Sequence, residues 1–197
     1  EYQNVAASYE EMITSSLSID YNFIQNSLGH VDDESGWTSS LNISSSYINE
    51  DFFPKFNCNL DIGFLLPINH TSLWIRNSAG YAFGERNNSF ANYYFGGFGN
   101  NWIDKRDEKR YRNFDSFPGF EINEIAGKSF VKNIAELNLP PLRFSEIGNT
   151  AIYMRWIRMS VFASLLNTDP DKSTYKTYYY NVGAQLDLKT VTLSFLE

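Results

Sequence analysis

Long stretches of the chain alternate between apolar and polar residues with a period of two. In the stretch 13–23, for example, Leu17 falls on one face and Ser18 falls on the other. The stretches 37–47 and 56–66 repeat this pattern, each after a polar gap. Strict alternation is typical of a β-strand that has one apolar and one polar face. The pattern therefore predicts antiparallel strands that follow one another along the chain.

Four further stretches predict strands whose alternation is less regular. They span residues 73–83, 128–139, 150–166 and 175–195. In the last of them the apolar residues change face beyond Thr190, so we predict a β-bulge or a turn near Lys189. The chain then holds seven or eight strands of about 10 to 16 residues in a single domain, 1–197, whereas strands of soluble domains usually have about five or six residues.

The length of the strands indicates which kind of β-protein they build. About 9 to 11 tilted residues span the apolar part of a bilayer, and the small polar residues of the second face suit a water-filled lumen. We therefore predict an all-β fold, an antiparallel meander of long strands that forms a transmembrane β-barrel or part of one. The alternative is a soluble or secreted β-barrel or sandwich that binds an apolar ligand or a glycan. The barrel places the following residues against lipid, and the alternative places them in a dry core: Leu17, Ile19, Leu41, Ile43, Leu60 and Ile62.

Composition and motifs restrict the function further. The net charge of -7 would repel nucleic acid, so we expect no nucleic-acid partner. His30 and His70 have no Cys or acidic partner at metal-ligand spacing, and no serine lies in a Gly-x-Ser-x-Gly motif. Cys58 is the only cysteine, which excludes an internal disulfide. We expect no catalytic, cofactor-binding or metal site, and therefore no enzymatic activity.

The stretch 96–127 is irregular and far longer than a simple turn. It begins with glycines and contains a charged run from Asp104 to Arg112. Long irregular loops are usually functional, and mixed charges are typical of a solvated segment, so we expect the charged run to face water. We predict that 96–127 is a long external loop, at the opposite end of the strands from the short turn 67–70.

Four segments in and around this loop carry a family resemblance. Phe95-Gly96-Gly97 opens the loop, Ser-Phe-Pro-Gly-Phe lies within it at 116–120, residues 121–127 close it, and Ala-Glu-Leu-Asn-Leu-Pro follows at 135–140. In this order they resemble the sixth external loop and the following strand of the bacterial surface antigen family of outer-membrane β-barrels. That family includes the barrel-assembly protein and the two-partner secretion transporters.

The resemblance implies a location in the bacterial outer membrane and a role in the insertion, translocation or anchoring of other polypeptides. Barrels of the family have about twice as many strands as this chain, so the implied position is the carboxy-terminal part of a barrel. The implied partners are outer-membrane lipid, other polypeptides and the remaining strands of the same barrel, because an open sheet edge cannot face lipid. The resemblance implies no cofactor.

The resemblance also implies a lock between the long loop and the strand that follows it. The family places an Arg before the Gly-aromatic pair at the loop tip, and this Arg pairs with an acidic strand residue. Here Pro118 precedes Gly119-Phe120, so we expect Arg110 or Arg112 to take that role. The acidic partner is Glu136, because its neighbours in the strand, Ala135 and Leu137, are apolar and leave it facing the lumen. The candidate lock comprises Arg110, Arg112, Gly119, Phe120 and Glu136. The alternative is that Glu136 is an ordinary hydrated carboxylate of the lumen.

Overall fold

The computed structural model of the chain describes residues 12–48, 50–98, 109–145, 147–148 and 152–192. These residues include two short 3₁₀ helices, Ser89–Ala91 and Arg110–Arg112. No helix among the described residues is long and apolar enough to cross a bilayer. The strands are β1 (Met12–Gln25), β2 (Ser35–Ile48), β3 (Asp51–Leu65), β4 (Ser72–Ala82), β5 (Tyr93–Phe95), β6 (Ile125–Gly127), β7 (Ser129–Asn138), β8 (Leu142–Arg143), β9 (Ile152–Thr168) and β10 (Thr177–Thr192).

Seven long strands form one sheet in the order β1-β2-β3-β4-β7-β9-β10. Every neighbouring pair is antiparallel, and the two-residue strand β8 extends the sheet by pairing with β9. Strands β5 and β6 pair with each other and leave the main sheet. The sheet curves into a half-barrel, which confirms the predicted all-β antiparallel meander and its assignment as part of a β-barrel.

The convex face of the sheet is a continuous apolar surface. Leu17 and Ile19 are each 58% exposed, and Ile43 is 45% exposed. Register aligns these side chains across neighbouring strands, because Leu17 pairs with Ile43 and Ile19 pairs with Leu41. A soluble domain does not leave so wide an apolar band in water. Of the six residues that the soluble alternative places in a dry core, five are exposed and only Ile62 is half-buried. These side chains therefore do not form such a core.

The concave face packs aromatic rings over glycines. In three places a lumen-facing glycine lies directly across from an aromatic residue of the next strand, and a Cβ atom added to that glycine would come within 2.4 to 2.5 Å of the ring. These cross-strand pairs are Gly63 with Trp74, Gly80 with Phe130, and Gly183 with Phe162. Aromatic rings thus cover the inner surface of the sheet at the positions where glycine leaves the backbone without a side chain.

Because neighbouring strands are antiparallel, the connections between them alternate between the two ends of the half-barrel. The turn end carries residues 26–34, residues 66–71 and the connection from β7 to β9. The loop end carries the connection from β2 to β3, the connection from β4 to β7, and residues 169–176. The predicted short turn and the long loop 96–127 therefore lie at opposite ends. We call residues 26–34, with their run Asp32-Asp33-Glu34, the acidic loop.

The long loop folds onto the concave face instead of projecting away from it. Near the loop end, Phe95, Phe117 and Ile125 form a buried apolar cluster with Phe130 and Leu166 of the sheet. Residues 99–108, which include Asp104, lie outside the described part of the chain. The half-barrel is thus filled by its own loop on the side of β7 and β9.

The predicted irregularity near Lys189 is confirmed. The register between β9 and β10 shifts between Lys189 and Thr190, because Lys189 pairs with Trp156 and Thr190 pairs with Met154. Arg155 is the extra residue of this β-bulge.

Candidate functional site

Glu136 is the acidic centre of the inner face. It lies near the turn end of β7, where alternation directs it into the lumen, and its side chain is completely buried. A carboxylate without exposure to water is costly unless cations and hydrogen-bond donors surround it. The position of Glu136 therefore demands positively charged neighbours, and three are present.

Arg112 supplies the closest of these contacts. Its Nε donates to Oε2 of Glu136 at 3.0 Å, and its Nη2 donates to Oε1 at 2.6 Å. The planar guanidinium thus grips both carboxylate oxygens, which is the most specific geometry available to an Arg and a carboxylate. Arg112 ends the 3₁₀ helix Arg110–Arg112 of the long loop, so this ion pair joins the loop to the sheet.

Two further cations complete the surroundings of Glu136. Arg76 of the adjacent strand β4 donates from Nε to Oε2 at 3.1 Å, and its Nη1 binds Asp61 of β3 at 2.5 Å. Lys109 of the long loop lies 3.3 Å from Oε1 and also donates to Asn138 and Ser160. Strands β3, β4, β7 and β9 therefore all contribute polar atoms to one connected network.

Asp32 brings the acidic loop into the same network from the turn end. Its Oδ2 accepts hydrogen bonds from Lys109 at 2.7 Å and from Arg112 at 2.8 Å, and Arg158 of β9 lies 3.4 Å away. Burial alone would raise the pKa of Asp32, but the cations Arg112 and Lys109 hold it well below its usual range. Asp32 is therefore ionised, and it binds the long loop from the side opposite to Glu136.

The acidic loop is itself fastened at the turn end. Glu34 accepts a hydrogen bond from the backbone N–H of Ser27 at 2.7 Å and lies 2.7 Å from Nδ1 of His70. The carbonyl oxygen of Asp33 accepts the indole N–H of Trp74 at 3.0 Å. These contacts keep Asp32 directed into the lumen.

Within the part of the chain that the structure describes, the charges of the network balance. The cations Arg76, Lys109, Arg112 and Arg158 face the acids Asp32, Asp61, Glu136 and Asp187. Because each buried charge lies beside a charge of opposite sign, the network tolerates burial that would expel an isolated ion. Removal of any one of these eight residues leaves the described network with one unbalanced charge.

Strand β7 holds the long loop at a second level. The ammonium of Lys132, which faces inward four residues before Glu136, donates to the carbonyl oxygens of Asn113 at 2.6 Å, Phe114 at 3.3 Å and Ser116 at 2.5 Å. Phe162 is the register partner of Glu136 on β9, and the ring of Tyr111 stacks on it with a centroid separation of 3.9 Å and an interplanar angle of 5°. Residues 109–116 are therefore held against the sheet by charge, hydrogen bonds and stacking together.

The remaining members of the predicted lock lie elsewhere. Arg110 is half-buried in the same 3₁₀ helix, but no contact with Glu136 is found for it. Phe120 packs against Phe117 and Tyr179 near the loop end, and Gly119 has a φ of 99° at an open turn. Phe120 thus lies at the level of Lys132, about 13 Å along β7 from Glu136 at the usual rise per residue. The structure brings together Arg112 and Glu136, and it separates them from Gly119 and Phe120.

A polar cavity of about 530 Å³ remains between the loop and the side of the half-barrel formed by β1 to β4. The sheet lines it with small polar side chains, among them Thr38, Ser40, Asn42 and Asn59, and Arg112 lines it from the loop. Glu136 is not among its lining residues, because it lies behind Arg112. The lumen is therefore divided into a filled side and an open polar side.

Comparison with known families shows to which family the chain belongs. A family model described as the OMP85 superfamily matches residues 33–183, which is well over half of the chain and includes the whole long loop and Glu136. The chain belongs to the OMP85 superfamily. A search of curated proteins and a search of solved structures found no match. Membership confirms the resemblance to the bacterial surface antigen family, and it supports a protein of the outer-membrane β-barrel type.

One expectation about this OMP85 superfamily chain is wrong, and several site residues were missed. Lys109 is only 5% exposed and Arg112 is mostly buried, so the described end of the charged run does not face water. Sequence reasoning placed Arg76, Asp61 and Asp187 on polar strand faces but did not pair them. Such pairings depend on strand register, which the alternating pattern does not specify. The cluster of three acids at 32–34 was the one signal that could have indicated a cation-binding role for the acidic loop.

Proposed function

We propose that this chain is the carboxy-terminal part of an outer-membrane barrel that inserts, translocates or anchors other polypeptides, and that the long loop gates its lumen. The observation that carries the proposal is the two-point grip of Arg112 on Glu136, beside an open polar cavity. Ion pairs are reversible, so residues 109–112 of the loop can leave the lumen once the pairs with Glu136 and the stack of Tyr111 on Phe162 are released, while the aromatic cluster near the loop end stays in place. The loop end then faces the cell exterior, and the turn end faces the periplasm.

The polar cavity supports a polypeptide as the passenger. Most of its wall consists of Ser, Thr and Asn side chains, which offer hydrogen bonds to an extended backbone, and charges of both signs such as Asp20 and Arg76 complete it. A cavity of about 530 Å³ holds only a few residues, so passage of a chain requires the long loop to move. The network around Glu136 then acts as a closed-state lock, and Asp32 contributes a second attachment from the turn end.

Site-directed photocrosslinking in living cells tests this proposal. A photoreactive amino acid at Asn42 faces the polar cavity, whereas the same amino acid at the adjacent Ile43 faces the convex apolar surface. The proposal predicts discrete polypeptide adducts from Asn42 that disappear when protein synthesis is blocked, and lipid adducts or none from Ile43. The Asn59 position on β3 serves as a second cavity probe, matched with Leu60.

Heat-modifiable migration on a gel, together with a strict requirement for detergent, establishes that each variant is folded in the membrane. Folded variants with equal adducts from both faces, or without polypeptide adducts from Asn42 and Asn59, would overturn a role in polypeptide transfer.

A further inference from the structure

A second cavity, of about 290 Å³, lies at the turn end between the acidic loop and strands β8, β9 and β10. It shares no lining residue with the network around Glu136, although Arg158 of that network donates to the carbonyl oxygen of Val31 in its wall. Its wall is formed by Arg143, Arg155, Trp156 and Lys189, together with residues 29–31 of the acidic loop. Three of the four side chains that the strands contribute are thus cationic, and the fourth is a half-buried indole.

The β-bulge in β9 creates this wall. In a regular strand the consecutive residues Arg155 and Trp156 would point to opposite faces of the sheet. Here both line the cavity, because Arg155 is the extra residue opposite Lys189. Bulges commonly redirect a side chain in this way next to functional sites. The irregularity therefore has a consequence for binding, since it adds a second cation beside Lys189.

No acidic residue of the described part of the chain lines the cavity, although acids outnumber bases by 23 to 16 in the full sequence. Within the described residues, neither Arg155 nor Lys189 takes part in an ion pair, and Arg143 donates to the carbonyl oxygen of Gly29. The nearest inward acid on β10, Asp187, is occupied by Arg158 at 2.6 Å. Like charges that share a small cavity repel each other, and an anion from outside would relieve that repulsion.

We propose that this cavity binds a phosphate group. A phosphate monoester carries up to two negative charges and three acceptor oxygens, so it can satisfy three convergent cations, whereas a carboxylate offers one charge and two oxygens. The indole of Trp156 lines the cavity beside these cations and offers apolar contact to the carbon skeleton that carries the phosphate, while Arg158 lies over its ring at 5.4 Å from the centroid. The source of the phosphate is either a lipid headgroup at the rim of the barrel or a soluble ligand that enters from the turn end.

Titration calorimetry of the full-length protein, in neutral detergent and phosphate-free buffer, tests the proposal with three probes. Inorganic phosphate represents a soluble source, dioctanoyl phosphatidic acid represents a lipid source, and dioctanoyl glycerol is the same lipid without phosphate. We expect saturable binding of inorganic phosphate if the source is soluble, or of phosphatidic acid alone if the source is a lipid, and no binding of dioctanoyl glycerol.

Charge-removing variants connect this binding to the cavity. Arg155→Gln and Lys189→Gln should each weaken binding by about tenfold, as expected for the loss of one charge-assisted hydrogen bond. Arg155→Lys, which keeps the charge, should lose less, and Lys172→Gln at the exposed loop end should bind like the wild type. Heat-modifiable migration verifies that each variant is folded. Absence of saturable binding by both phosphate probes, equal binding of dioctanoyl glycerol, or unchanged affinity in folded Arg155→Gln and Lys189→Gln would overturn the proposal.

Discussion

Arg112 and Glu136 are joined by two hydrogen bonds of 3.0 and 2.6 Å, although Arg112 belongs to the long loop and Glu136 lies near the far end of strand β7. Arg112 belongs to a loop that starts at the loop end, and Glu136 lies two residues before the turn end of β7. The long loop therefore runs along almost the whole length of β7 before it is fastened. The ion pair therefore lies close to the turn end of the half-barrel, at the far end of the path that the loop takes from the loop end.

Arg112→Lys should release the long loop while keeping its charge. An ammonium cannot grip both oxygens of Glu136 as the planar guanidinium does, so the loop should spend more time outside the lumen. We expect protease added from the loop end to cleave residues 96–127 about tenfold faster, equivalent to about 1.4 kcal/mol. Arg110→Lys in the same 3₁₀ helix is the matched control and should be cleaved like the wild type. Equal cleavage rates for both variants would show that Arg112 does not hold the loop.

Asp32→Asn should remove the ion pairs that join the acidic loop to the long loop, and the resulting loss of stability should depend on pH. Because the pKa of Asp32 is lowered in the folded state, its contribution to stability is present above its unfolded pKa of about 3.9 and is lost as the pH falls through the folded pKa. The difference in unfolding free energy between wild type and Asp32→Asn should stay near 3 kcal/mol from pH 8 to about pH 5 and shrink in stronger acid.

Urea unfolding in detergent measures that difference. Asp33→Asn is the control, because the carboxylate of Asp33 makes no ion pair among the described residues and accepts one hydrogen bond, from Asn26 at 3.3 Å. A difference that stays constant below pH 4, or an equal effect of Asp33→Asn, would contradict the role of Asp32.

Gly183→Val should destabilise the sheet through the ring of Phe162. A Cβ at position 183 would lie 2.5 Å from that ring, so the ring must leave its place on β10. Overpacking of this kind costs about 1 to 3 kcal/mol. Ala184→Val, one residue further along and on the exposed convex face, should cost little. The temperature at which heat-modifiable migration is lost measures the effect, and Phe162→Leu should partly restore Gly183→Val.

Leu41→Arg and Asn42→Arg compare the two faces of β2 at neighbouring positions. Leu41 lies on the convex face, where a cation near the bilayer centre costs about 2 to 4 kcal/mol, whereas Asn42 lines the polar cavity. We expect Leu41→Arg to lower the yield of folded protein in the membrane fraction and Asn42→Arg to leave it unchanged. The reverse order would place the wrong face of β2 against lipid.

The period-two alternation was sufficient to predict the strands of the sheet, because it indicates which residues of each strand share the apolar face. It also located the shift near Lys189, since a bulge reverses the alternation. Glu136 was predictable as an inward acid for the same reason. The sequence did not decide whether Arg110 or Arg112 is the partner of Glu136. Both residues lie in an irregular loop, and no periodic pattern there indicates which side chain points toward the sheet.

The role of Asp32 was beyond reach of the sequence for a different reason. Asp32 is far from Arg112 and Arg158 along the chain, and only the curvature of the sheet brings their strands and loops around one lumen. The position of Gly119 and Phe120 was also not specified by the sequence. They matched the motif of the family loop tip, but here that segment packs in the aromatic cluster near the loop end.

The most direct test of the lock is the ion conductance of Glu136→Gln in a planar lipid bilayer. Glu136 is fully buried and does not line the polar cavity, so this substitution can widen the lumen only by releasing the long loop. With the full-length, heat-modifiable protein, the account predicts that Glu136→Gln opens more often and to a larger conductance than the wild type, while Glu85→Gln at an exposed position behaves like the wild type. A folded Glu136→Gln protein whose conductance matches the wild type would contradict the claim that this ion pair keeps the lumen closed.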